Sequence, residues 1–333
     1  MASRKRLILT IDGGGVRAIV PALILRELEQ KLRAKRKNAP IASYFDLVAG
    51  TSTGGIIALG LCARGVKDRT KPACTSEDLV TLYKTRSKEI FGSPQGIQMF
   101  GMMSEEKYSA APLEAILQEM LGDGTSDDML GNFLITAYEI GERKPKVFSN
   151  LSNDKKERKY FVKDLARATS AAPTFFEPAR IEKLHRANEY EDLVDGGLFA
   201  ANPSLVTLMH ALRLGWCADD ITILSLGTGK EARPYHYSEV KKWGNISWVM
   251  ANRGVPIVSM LLQSQTVVCD DLMPLLVDEG RYLRIDGPLL KNMGSDDLDD
   301  ASDQNIRELE IFADKLIKDQ GAQKALDSIA DMA

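Results

Sequence analysis

The 333-residue sequence has no run of about twenty apolar residues, so no segment is expected to cross a bilayer as a helix. It opens on no secretory-type signal, because the apolar stretch Leu7–Ile11 is far too short. Cysteine is sparse: Cys62, Cys74, Cys217 and Cys269 lack the spacing of a metal-ligand set. Cys62 and Cys269 sit among apolar neighbours and read as buried thiols, which favours a reducing, cytoplasmic location. A formal charge of −3 gives no global attraction to nucleic acid or to anionic membranes, so no nucleic-acid partner is expected. No Gly-Lys-Ser or Gly-Lys-Thr follows a glycine loop, which argues against a Walker-type phosphate site. Internal repeats and long Gly/Ser linkers are also missing. Only three histidines are present, His185, His210 and His236.

The hydrophobic share, 44%, is enough for a sizeable core. Strand-like stretches near 7–11, 44–49, 132–138 and 221–226 alternate with helical ones near 20–36, 53–64, 76–90, 110–121 and 203–214. That alternation predicts an α/β fold with a mainly parallel central sheet and helices on both faces. Loops at the carboxyl ends of the strands are then the places for chemistry.

Three glycine-rich turns fall at such places. Gly50-Thr51-Ser52-Thr53-Gly54-Gly55 joins the apolar stretch Tyr44–Ala49 to the apolar stretch Gly55–Ala63. Small residues two before and two after a serine let a strand-to-helix turn close tightly and push the hydroxyl outward. Asp12-Gly13-Gly14-Gly15-Val16-Arg17-Ala18 follows the strand Leu7–Ile11 and precedes a helix that has Pro21 in its first turn. Three adjacent glycines leave backbone N–H groups bare at the positive end of a helix. Such donors can hold a phosphate or the oxyanion formed when a serine attacks an ester. The dinucleotide reading lacks its acidic partner, since Glu27 and Glu29 fall inside the first helix. Asp195-Gly196-Gly197 ends a short apolar stretch and alone reads as a turn former.

Taken together with Ala171-Ala172-Pro173-Thr174-Phe175-Phe176, Asn202-Pro203 and Ile223-Leu224-Ser225-Leu226-Gly227-Thr228-Gly229, these turns resemble the patatin-like phospholipase family, clearly over residues 5–230 and more loosely beyond. The resemblance implies a three-layer α/β/α fold, with a catalytic core over 5–230 and a helical part, 231–333, packed on the same domain. It implies a lipid acyl hydrolase of phospholipase A type that cleaves carboxylic esters of glycerophospholipids. Ser52 matches the nucleophile, Asp195 the general base, and Gly13, Gly14 and Gly15 the oxyanion loop. Arg17 matches a basic residue that follows the loop. Gly50 and Gly54 flank the nucleophile. Ala18 stands where many members carry glycine. No cofactor or metal is implied. The expected partners are a phospholipid or other lipid ester and, transiently, a membrane surface.

A serine needs a base beside it, and a carboxylate serves when burial raises its pKa. The rival is a histidine triad, for which His236 is the late-chain loop candidate. Two further alternatives share the dyad. One is acyl transfer to an acceptor other than water. The other is a ligand-gated effector, since some bacterial relatives are switched on by cyclic nucleotides in antiviral defence; a small-ligand activator or a homo-oligomer would then be involved.

Several peripheral segments carry expectations. The basic runs Lys31–Lys37 and Lys155–Lys159 read as a solvated helix end and a hairpin tip. The acidic run Asp296–Asp300 reads as a surface loop. Trp243–Leu276 reads as a helix packed on the sheet with tryptophan anchors, the alternative being an element at the lipid interface. Ile90–Met103, rich in Gly, Met and Phe, reads as a flap over a greasy cleft.

Overall fold

The computed structural model describes residues 4–92, 106–151, 159–186, 188–232, 234–244, 247–248, 255–278, 280–290 and 293–333. Most of the expected flap and most of the 155–159 run lie outside these residues. The strands are β1 (Arg6–Ile11), β2 (Leu47–Gly50), β3 (Phe133–Glu139), β4 (Lys144–Ser149), β5 (Ala179–Glu182), β6 (Tyr190–Asp195), β7 (Ile221–Leu226), β8 (Lys230–Glu231), β9 (Tyr282–Ile285) and β10 (Pro288–Leu289). Helices precede and follow them: α1 (Ile19–Ala34), α2 (Thr53–Cys62), α3 (Ser76–Thr81), α4 (Ser87–Phe91), α5 (Ala111–Leu121), α6 (Val162–Thr169), α7 (Gly197–Ala200) and α8 (Ser204–Arg213). Later come α9 (Tyr237–Val240), α10 (Pro256–Leu276), α11 (Asp303–Lys318) and α12 (Gln320–Met332).

The main sheet is hydrogen-bonded in the order β5-β6-β3-β2-β1-β7-β9, with β4 also on β3. Strands β9, β7, β1, β2 and β3 are parallel, while β4 and β6 run against β3. Parallel strands must be covered on both faces, which explains the near-continuous apolar runs of β1 and β7. Successive residues point to opposite faces and sort into two cores. Leu7, Leu9 and Ile11 enter the larger core, with α1, α2, α5, α6, α11 and α12. Ile8, Leu47, Ala49, Leu134, Ile221 and Ile223 enter the other, with Leu208 of α8 and Cys269 and Met273 of α10. The result is a three-layer α/β/α architecture.

Strand β4 pairs with β3 from Leu134 to Glu139, so it fills one edge of that strand. Strands β2 and β6 therefore share the other edge, β2 beside Phe133–Ile135 and β6 beside Ala137–Glu139. They run toward each other along it.

Four expectations are corrected. Strand β2 begins at Leu47 rather than Tyr44, because Ile41–Tyr44 forms a 3-10 turn and pairing with β1 starts at Ile8–Leu47. The single helix expected over 76–90 is interrupted by a π-helical stretch, Leu82–Arg86. The run Lys31–Lys37 is a clamp on α12, not only a solvated helix end. Lys31 Nζ lies 2.7 Å from Asp327, Lys35 pairs with Asp331, and Lys37 Nζ donates to the carbonyls of Ala330 and Ala333. Cations at the last carbonyls of a helix offset its negative end. The acidic run is not a surface loop. The Asp299 carboxylate is buried and accepts from the Tyr108 hydroxyl, while the Leu298 carbonyl accepts from the Val16 amide.

Candidate active site

Ser52 sits between β2 and α2 with φ 55° and ψ −128°, a conformation that costs energy and is held only by its surroundings. The turn closes because its flanking glycines are bare. A Cβ on Gly50 would lie 2.2 Å from the Gly54 carbonyl oxygen, and one on Gly54 would lie 2.4 Å from that of Ile11. The Ser52 amide donates to Thr169 Oγ1 at 3.0 Å, tying the turn to the end of α6.

Asp195 closes β6. Its amide donates to the Ala171 carbonyl, and its Oδ1 accepts from the Gly197 amide at 2.7 Å. The Ser52 side chain lines the same cavity as its carboxyl and acts to lower its pKa. Burial pushes the Asp195 carboxyl up to about 7, while Ser52 and the Gly197 amide hold it back. Only 4% of the residue is exposed.

The first glycine loop lies beside this pair, and its amides are not equivalent. The Gly13 amide is already given to the Ala201 carbonyl at 3.1 Å. That of Gly14 makes a long 3.3 Å contact with Thr53 Oγ1. Among the described residues, the amides of Gly15 and Thr53 have no acceptor. Thr228 Oγ1 donates to the Gly13 carbonyl and holds the loop from β7. Below it, Asp12 is gripped at both oxygens by Arg284 of β9, at 3.0 and 2.6 Å. Burial pushes the Asp12 carboxyl up and Arg284 pulls it back. Arg284 also meets Asp286 at 2.7 Å and Asp270 of α10 at 3.1 Å. The Asp286 carboxylate in turn accepts from the Gly229 amide.

Ser52, Asp195, Gly13, Gly14 and Gly15 line one cavity of about 1000 Å³, counting its open mouth. The rest of its wall is mostly apolar: Ile56 of α2, Leu82 and Tyr83 of the π-helical stretch, Phe91 of α4, Leu113 and Ile116 of α5, and Phe175 and Phe176. Val258 and Leu262 of α10, Leu198 of α7 and Leu298 also line it. Tyr83 also donates its hydroxyl to the Thr53 carbonyl, so the π-helical stretch is fixed to the turn that carries Ser52. An acyl chain fits such a wall; a charged ligand would lose solvation there.

The remaining sequence candidates fall elsewhere. Gly50 and Gly54 shape the turn without lining the cavity. Arg17 is buried and does not line it either; among the described residues its Nε and Nη1 have no hydrogen-bond partner, and its charge acts on Glu231. None of the three histidines is among the lining residues. Cys62 and Cys269 are buried thiols, Cys269 being pushed up to about 12 by burial. Trp243 and Trp248 are half-buried and stack edge-on to each other, so they are not core anchors.

Sequence reasoning missed Arg284, Thr169, Thr228 and Leu298. Each reaches the site from a distant stretch; Thr228 and Leu298 lie in runs already singled out, but nothing in those runs shows which backbone group they would hold. The Asp286-Gly287 pair directly after β9 is the one local hint that this strand end faces the glycine loops.

The model of the patatin-like phospholipase family matches residues 9–208. The chain is 33% identical to patatin-like protein 1 of Arabidopsis thaliana, over 96% of this chain and 83% of that protein. It is 32% identical to patatin-like protein 2 of Oryza sativa subsp. indica, over 93% and 83%. Identity to patatin-2-Kuras 3 of Solanum tuberosum is 31%, again over 93% and 83%.

Proposed function

The chain belongs to the patatin-like phospholipase family, whose activity is lipid acyl hydrolysis, and we propose that Ser52 and Asp195 carry that reaction here on carboxylic esters of glycerophospholipids. The observation that carries this reading is the meeting of the two side chains in an otherwise apolar cavity. Ser52 attacks the ester carbonyl, and its proton passes to Asp195. A carboxyl raised to about 7 is a competent base near neutral pH, where an ordinary aspartate would be too weak. The oxyanion is received by amides of the glycine loop and of Thr53, with Gly15 and Thr53 free to donate and Gly14 able to exchange its long contact. One such donor is worth about 3 kcal/mol. The proton returns to the leaving alcohol. Water then attacks the acyl-enzyme with Asp195 as base, and Ser52 is released.

Transfer of the acyl group to another alcohol or thiol would use the same first half. Product analysis with added acceptors separates the two. A gated form, with a cyclic nucleotide or self-association as the trigger, is tested by adding a panel of cyclic nucleotides to the purified protein. The primary test is labelling with a fluorophosphonate and mapping of the adduct. Modification at Ser52, absent in Ser52→Ala, is expected; a stable adduct at any other residue would overturn the assignment.

A further inference from the structure

Helix α10 is apolar on two sides, yet the fold covers only one. Its inward side has two jobs. Val258 and Leu262 line the Ser52 cavity, and Cys269 and Met273, further along the same side, enter the second core. On its outward side stand Ile257, Leu261, Val268, Leu272 and Leu275, at the spacing that puts residues on one face of a helix. Leu261 is 47% exposed, Val268 55% and Leu275 80%. From Ile257 to Leu275 the row runs about 27 Å at the helical rise. A helix apolar all round is ordinarily buried all round. Among the described residues, nothing buries this face.

Two observations say what covers it. The first is continuity with the cavity. Leu198 of α7 lines the cavity and is 40% exposed, and Gln265 of α10 donates to its carbonyl, so the outward row begins at the cavity mouth. The second is charge. Helix α10 contains no lysine or arginine. Of its two aspartates, Asp270 is turned inward to Arg284 and Lys230, which leaves Asp271 as the one charge on the exposed side.

We infer that the outward face of α10 is the surface on which this protein rests on a lipid bilayer, and that it suits an uncharged, zwitterionic one. The inference rests on the reading of the cavity as a lipid-ester site. An apolar row that reaches the cavity mouth lets an acyl chain pass from bilayer to cavity without crossing water. With no cation on the helix, attachment comes from apolar burial and not from attraction to anionic headgroups.

The test uses the full chain carrying Ser52→Ala, so that vesicles are not consumed, and measures co-sedimentation with phosphatidylcholine vesicles at low and high salt. Binding that is unchanged by salt is expected. Leu261→Asp and Val268→Asp, each added to that background, should weaken binding about tenfold or more. In the Ser52 protein, the same two substitutions should leave hydrolysis of a short, soluble ester unaltered, which also reports that the chain is folded. Vesicle binding that survives both substitutions would overturn the inference, as would binding that needs anionic lipid and vanishes with salt. So would a stable dimer that both substitutions dissociate while vesicle binding persists, since the row would then be a contact between copies. Failure of the cavity reading has a separate signature, namely soluble-ester hydrolysis that persists in Ser52→Ala.

Discussion

Gly50 and Asp195 lie on the same edge of β3, opposite Ile135 and Ala137 respectively. Two residues along a strand are about 7 Å. Strand β2 arrives from one direction and β6 from the other, and the chain leaves the sheet at the point where they meet. Ser52 follows Gly50 by two residues, so its hydroxyl and the carboxyl are brought together by backbone pairing and not by flexible loops. Thr51 locks the junction, with its hydroxyl on the Ala200 carbonyl at 2.6 Å and 2.7 Å from that of Thr136.

Removing either member of this pair should abolish activity without unfolding the chain. With a short-chain ester, Ser52→Ala is expected to lower kcat by at least about 10³-fold. Asp195→Asn, which keeps the shape and removes the base, is expected to lower it about 10²–10⁴-fold. Circular dichroism of both variants should match the parent.

The raised carboxyl gives two opposite pH effects. Activity should rise as pH passes through about 7, because Asp195 must be ionised to accept the serine proton. Stability should fall over the same range. A carboxyl whose folded pKa lies above its unfolded value favours the native state at low pH, and that contribution is lost as pH rises through the folded pKa. Asp195→Asn should therefore stabilise the fold above pH 7 by on the order of a few kcal/mol and raise the melting temperature there. The gain should disappear near pH 4. Paired thermal melts at several pH values check the sign.

Breaking the Arg284 grip should be costly. Arg284→Met leaves the buried Asp12 without its cation and strips one from Asp286, while Asp270 keeps Lys230; stranding one partner of a buried ion pair costs about 3–5 kcal/mol. Denaturant midpoints would show it. Where the variant still folds, kcat should drop, since Asp12 precedes the glycine loop directly.

The serine turn should tolerate no added methyl group. Gly54→Ala places a carbon 2.4 Å from the Ile11 carbonyl oxygen, so strand β1 or helix α2 must shift. A loss of about 1–3 kcal/mol is expected, together with loss of fluorophosphonate labelling.

Lys37→Met removes the cation from the last carbonyls of α12, for about 0.5–1 kcal/mol. Hydrogen exchange should show α12 opening more often, with the site amides unchanged.

The three glycine turns were legible because each is a local solution: small residues beside a reactive group, at the end of an apolar strand. Helices on both faces of the sheet were legible in the alternation of strand and helical stretches along the chain. What escaped depends on partners far along the chain. The antiparallel course of β6 is set by its pairing with β3 and by no feature of Tyr190–Asp195 itself. The run Asp296–Asp300 carries the charge density of a solvent loop. Its Leu298 carbonyl nevertheless takes the Val16 amide at 2.8 Å, and its Asp299 takes Tyr108. The lysines of 31–37 look solvated until α12 arrives, nearly 300 residues later. The role of Arg284 could not be seen because its partner Asp12 lies 272 positions away.

The contacts of Leu298 and Arg284 with the first glycine loop also set a timetable. The loop and Ser52 leave the ribosome early, but Arg284, which grips Asp12, follows 272 positions later. Through that interval the growing chain carries the serine turn without the contacts that brace the loop beside it. Until Arg284 and Leu298 have been made, the first glycine loop lacks the contacts that hold it beside the serine turn in the folded chain.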